Sequence, residues 1–165
     1  MGEVARVGKL SRGSIYRYFS AKEALVEGII RRRQEAFLNR TEALLEKETR
    51  LVDKLTLAVL AGRKDMQEGI FAALADVEPE TLAMMFLDPR FYQRSVSFWP
   101  PHVRLAQEAG EVAAALDVVF VTDFIVRLAV SLVMFPTIEV DLRSRKSLHA
   151  YLQQALRMGL GGNGL

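Results

Sequence analysis

The stretch Leu10-Ser11-Arg12-Gly13-Ser14-Ile15-Tyr16-Arg17-Tyr18-Phe19, continued by Ser20-Ala21-Lys22-Glu23-Ala24-Leu25, decides how this chain is read. Ser11 is a good N-cap, and Ile15 and Phe19 stand four residues apart on one helical face. Ser20 is a second N-cap, with Glu23 at the spacing of a capping box. The pattern predicts two helices with almost no linker, the first very short. Its outward positions carry Arg12, Gly13, Ser14, Tyr16, Arg17 and Tyr18, a mix of hydroxyls and guanidiniums with a glycine that lets backbone come close. Such a surface suits phosphates and base edges. The alternative is an ordinary short helix whose Tyr16 and Tyr18 cap a small core.

Charge points the same way. The formal net charge is +2, but residues 1–33 hold eight Lys and Arg against three Glu, whereas from Gln34 onward fourteen basic residues meet seventeen acidic ones. The front therefore carries +5 and the remainder −3. Clustered positive charge is the electrostatic footprint of polyanion binding, so the front is the recognition end. A chain of 165 residues, 50% hydrophobic, can bury a sizeable core as one domain or two small ones.

Cysteine is absent, which excludes disulfides, thiol catalysis and cysteine-ligated zinc and is compatible with a cytoplasmic protein. No apolar segment follows basic residues at the start, so no signal peptide is expected. Residues 118–138 are the most apolar, but Asp123 and Arg127 interrupt them and Pro136 closes them; a buried helix fits better than a membrane span. His102 and His149 lie in separate helical contexts, and no spacing matches a metal site, a nucleophile elbow or a phosphate loop. Neither catalysis, nor a cofactor, nor a metal is expected.

The run Ser11-x-Gly13-x-Ile15-Tyr16-x-Tyr18-Phe19, a polar residue, then Lys22-Glu23-x-Leu25, resembles the N-terminal helix-turn-helix of the TetR family of bacterial transcriptional regulators. Apolar, aromatic and basic positions agree together from Val4 to Leu25; beyond that the resemblance lies in helix order and length. It implies an all-α protein with a DNA-binding head at residues 1–30 and a helical effector-binding and dimerisation body at 31–165. The implied partners are double-stranded DNA, a second copy of the chain and a small apolar effector that releases a repressor from its operator. Carried over position by position, Ser11, Arg12, Gly13, Ser14 and Tyr18 face base edges, while Tyr16, Arg17 and Lys22 clamp phosphates.

In the resembled family a further helix precedes this pair, and the turn usually carries Gly where this chain has Lys9. The head is therefore expected to be incomplete at its N-terminus as the chain stands, with Met1 to Val7 a shortened helical piece. A second reading follows, a dimeric small-molecule-binding protein whose head does not bind DNA.

The body reads as successive helices. Ala21 to about Lys47 is a long one, Leu51 to about Arg63 another, and Ile70 to Ala75 a short apolar piece. Glu78-Pro79-Glu80 and Asp88-Pro89 both look like helix starts, with proline near the first position and acid at the positive end. Pro100-Pro101 is expected to interrupt or kink the segment that Asp88 opens, pushing Trp99 toward extended backbone, before the helix resumes through Glu108. Val118 to Phe135 is apolar around nearly its whole circumference and so is expected to be covered all round, with Asp123 and Arg127 paired at i,i+4. Ser144 to about Met158 is a last helix stopped by the glycines at 159, 161 and 162.

Two groups of body residues are candidate sites. Met85, Phe86, Phe91, Tyr92 and Phe98, with Trp99, Phe120, Phe124 and Met134, are large, adaptable and uncharged, which suits either an apolar-ligand cavity or a packed core. Ile125, Leu128 and Leu132 with Leu148, Tyr151, Leu152, Ala155 and Leu156 form stripes on the last two helices. These stripes suit an intermolecular four-helix bundle, or packing within one chain. A dimer would set two recognition helices apart, and successive major grooves require about 34–36 Å.

Overall fold

The computed structural model describes residues 22–161, apart from 69–70, 73–79, 81–82, 84–85 and 139 and the side chains of Lys22, Glu23 and Val26. Within these residues every regular element with defined bounds is a helix: α1 (Lys22–Leu45), α2 (Leu51–Gln67), α3 (Pro89–Phe98), α4 (Pro100–Glu108), α5 (Val118–Met134) and α6 (Arg145–Leu160). The fold is all-α, as the periodicity indicated. The starts expected around Glu78-Pro79 and most of the apolar piece at 70–75 lie outside the described residues.

By backbone packing the chain separates into two compact units, Met1–Ala36 and Phe37–Leu165. The second is built around α2, which packs most extensively against α5 and α6. Flanked on two sides, α2 buries Leu51, Val52, Leu55, Ala58 and Val59, and even Lys54 and Thr56. It meets Val121, Ile125, Val126 and Leu132 of α5 and the i,i+4 row Leu148, Leu152, Leu156 and Leu160 of α6. Trp99, Val103 and Ala106 close the core from α4 and its N-cap. Each fully buried Leu, Ile or Val contributes on the order of 1.5–3 kcal/mol, so this shared core is what orders the unit.

Helix ends follow local chemistry. Asp88 caps α3 by accepting from the Arg90 amide at 2.8 Å, with Pro89 in the first turn, and the Arg90 side chain, then that amide, hold its carboxyl below the usual carboxylate range. Asp117 caps α5 by accepting from the Val119 and Phe120 amides, and Ser144 caps α6 through the Ser147 amide. Such caps contribute about 1 kcal/mol each. Arg63 donates to the Leu132 carbonyl at 2.9 Å, a cation on the negative end of α5. Gly161, at φ 56°, ends α6 in the left-handed conformation where a side chain would be strained.

Two expectations need correction. Trp99 is not extended: at φ −86°, ψ −23° it is helical, and α3 and α4 abut at it. Pro100 and Pro101 occupy the first turn of α4, where an amide has no intrahelical partner to lose, so the break costs little. Within one chain α5 is not covered all round. Val119 and Phe120 are 68% and 57% exposed, and the helix that neighbours enclose is α2.

Candidate functional site

Of the residues expected to meet DNA, Ser11, Arg12, Gly13, Ser14, Tyr16, Arg17 and Tyr18 lie outside the described residues. Lys22 opens α1, but its side chain lies outside them too.

The aromatic candidates fall into separate groups. Phe98, Trp99 and His102 cluster where α3 meets α4, with ring centroids 5.3 Å apart for Phe98–Trp99 and 5.6 Å for Trp99–His102. Phe86 meets Phe91 edge-on at 5.1 Å. Tyr92 reaches α5: its hydroxyl donates to Asp123 Oδ1 at 2.6 Å, and the Arg127 guanidinium sits 5.2 Å from its ring centre. Burial first, and then the Asp123 carboxylate, push the Tyr92 hydroxyl up to about 12. Arg127 completes the expected pair by donating to Asp123 Oδ2 at 2.7 Å, which with Tyr92 holds that carboxyl low. On α5, Phe120 is mostly exposed, Met134 is half-buried, and Phe124 lies against α6, where its ring would touch any side-chain atom added at Gly159. Met85 lies outside the described residues. What the structure assembles is thus a tight aromatic junction at Trp99, with Phe120 and Phe124 belonging to another surface.

The dimer candidates divide as well. Ile125, Leu148, Leu152 and Leu156 have no exposed surface and Leu132 has 3%. They are core of one chain, which leaves them nothing to offer a second copy. Leu128 and Ala155 are half-buried and Tyr151 is 39% exposed. With Phe120 and Met158, which is 82% exposed, they leave apolar surface on the outside of α5 and α6.

Sequence reasoning missed a polar cluster. His102 of α4 lies between Lys54 of α2 (Nζ to Nδ1, 3.3 Å) and Glu42 of α1 (Nε2 to Oε2, 3.2 Å), and both His102 and Lys54 are buried. Burial, reinforced by the Lys54 charge, lowers the imidazole from its ordinary value against the opposing pull of Glu42. Nearby, buried Glu111 accepts from the Leu51 amide at 2.8 Å and so caps α2. No periodicity flags Lys54, because a lysine beside an apolar stripe is ordinarily read as snorkelling to water. Among the described residues no three His, Asp or Glu side chains gather as a metal cluster, and no helix is long and apolar enough to cross a membrane.

No family model matches the sequence, and no curated protein matches it. Among solved structures, it is similar to a crystal structure from Rhodococcus sp. described provisionally as a TetR-family transcriptional regulator. The two share 20% identity at a TM-score of 0.54, over 96% of this chain and 85% of that one. The chain has a TetR-like fold. At that identity the likeness speaks for the arrangement of helices.

Proposed function

We propose that this chain is a DNA-binding transcriptional regulator, a cytoplasmic homodimeric repressor that a small apolar effector releases from its operator. One coincidence carries the reading: the structural likeness to a TetR-family regulator covers 96% of a chain whose front holds the helix-turn-helix pattern from Ser11 to Leu25. In this reading Ser11, Arg12, Gly13, Ser14 and Tyr18 read bases, while Tyr16, Arg17 and Lys22 hold phosphates. The second copy docks on the outer surface of α5 and α6, through Leu128, Tyr151 and Ala155 together with Phe120, Phe124 and Met158. Support for that surface is its apolar excess, since monomeric proteins rarely leave large apolar side chains grouped on adjoining helices. The effector sits against the aromatic junction at Trp99 and acts only by binding the released arrangement more tightly than the DNA-bound one.

Binding of the full-length protein to its own promoter region, measured by gel shift at several salt concentrations, tests this. Arg12→Ala costs about 1–3 kcal/mol and relaxes sequence preference, whereas Lys22→Ala weakens all DNA alike and reduces the salt slope by about one. Equal losses on operator and random DNA for Arg12→Ala would remove the base-reading role. Absence of any salt-dependent binding would leave the ligand-binding reading in its place.

A further inference from the structure

We propose that Glu42, His102 and Lys54 form an acid-sensitive clamp, which ties the C-terminal part of α1 to α4 and α2 at neutral pH and opens when His102 takes up a proton. The clamp lies within the second unit and does not depend on the DNA-binding reading.

The geometry dictates the protonation state. A lysine ammonium has donors and no acceptor, so across 3.3 Å His102 Nδ1 can only accept from Lys54 Nζ. The ring hydrogen is therefore on Nε2, where it donates to Glu42 Oε2 at 3.2 Å. The imidazole is neutral, and hydrogen bonds run one way, from ammonium through ring to carboxylate. A proton added at Nδ1 reverses the first contact, setting donor against donor and two positive charges about as close as a hydrogen bond allows. The same proton strengthens the bond to Glu42, so the two effects compete. Exposure decides between them: the Glu42 side chain is 51% exposed and its attraction is screened by water, whereas Lys54 is 8% exposed and its repulsion is not.

Among the described residues, Lys54 and Glu42 are the charges that act on the ring. Phe98 and Trp99 pack neutral rings on His102. On α5, which also packs on α4, Asp123 and Arg127 pair with each other, and Glu111 beyond the end of α4 is held by the Leu51 amide. The lowered imidazole value agrees with this balance. Because the folded form prefers the neutral ring, the clamp's contribution is complete above the ordinary value of 6.5 and is lost as pH falls from there toward the lowered folded value. Another polar tie between α1 and α2, Arg40 to Asp65 at 2.8 Å, joins a half-exposed arginine to a carboxylate and substitutes poorly.

Imidazole nitrogen NMR on the full chain tests the clamp directly. The expected result is the Nε2–H tautomer of His102 near neutral pH, a titration midpoint below 6.5, and a rise of that midpoint in Lys54→Met. His102→Gln keeps one acceptor and one donor but cannot titrate, so its unfolding midpoint falls less than the wild type's between about pH 7 and about pH 5. After correction for the intrinsic exchange rate at each pH, the protection of amides 38–45 falls on acidification in the wild type and holds in His102→Gln. An Nδ1–H tautomer in the wild type, or parallel pH profiles for wild type and His102→Gln, overturns the proposal. Should the variant not fold, the wild-type tautomer and midpoint decide alone.

Discussion

Helices α5 and α6 lie on the same partner, α2, yet they distribute their apolar side chains differently. In α6 the row Leu148, Leu152, Leu156 and Leu160 faces α2 and is consumed by the core of one chain. In α5 the inner row Val121, Ile125 and Leu132 does the same, but Val119 and Phe120 remain outside and Phe124 leans on α6 at Gly159. One amphipathic stripe is enough to dock a helix on one neighbour, so apolar residues that stay exposed beyond it, such as Val119 and Phe120, are not needed for that docking. Each helix builds the fold through its inner row, and the surplus, Phe120 on α5 with Tyr151 and Met158 on α6, is available for something else.

Removing a core residue from α6 should have the largest effect. Leu152→Ala, at a position with no exposed surface, is expected to cost about 2–5 kcal/mol by urea unfolding. A cost under about 1 kcal/mol would mean that α6 is less integral to the core than its burial indicates.

Gly159→Ala probes the seam between the two helices. The added Cβ would lie 2.7 Å from Phe124 Cζ, so the ring must move, and the expected cost is about 1 kcal/mol despite alanine's better helix propensity. In a Phe124→Leu background the same change should become neutral or stabilising. Additive losses in the double-mutant cycle would show that the ring and the glycine do not touch.

Phe120→Glu should have the smallest effect on folding, within about 0.5 kcal/mol, because the ring is already mostly in water. If the surplus on α5 is a dimer surface, sedimentation equilibrium will show the dimer weakened by about tenfold or more, equivalent to about 1.4 kcal/mol. A wild type that stays monomeric, or a variant that dimerises as well as the wild type, breaks the distinction drawn between inner row and surplus.

Much of this was legible in local sequence. Asp88-Pro89 and Ser144 start helices because a short polar side chain can accept the orphan amides of the first turn, whatever packs nearby. Asp123 and Arg127 pair because one helical turn brings them together. Trp99 misled, since the rule for the residue before a proline is a steric bias that an adjoining helix can outweigh, and here α3 runs directly into α4. The candidate pocket was only partly legible. Size and apolarity group Phe98 with Phe120 on paper, but only packing shows that Trp99 is buried at the helix junction while Phe120 faces outward.

By itself, the sequence determined the helices of the described residues, several of their starts, the all-α class and the motif that suggests DNA, because each rests on contacts within a few residues along the chain. Only the tertiary structure decided which stripe is core and which is surplus, and that Lys54 and His102, far apart in sequence, share one buried proton-dependent contact. Burial and protonation state depend on what arrives from distant segments, and hydrophobic attraction is too unspecific to name that neighbour in advance.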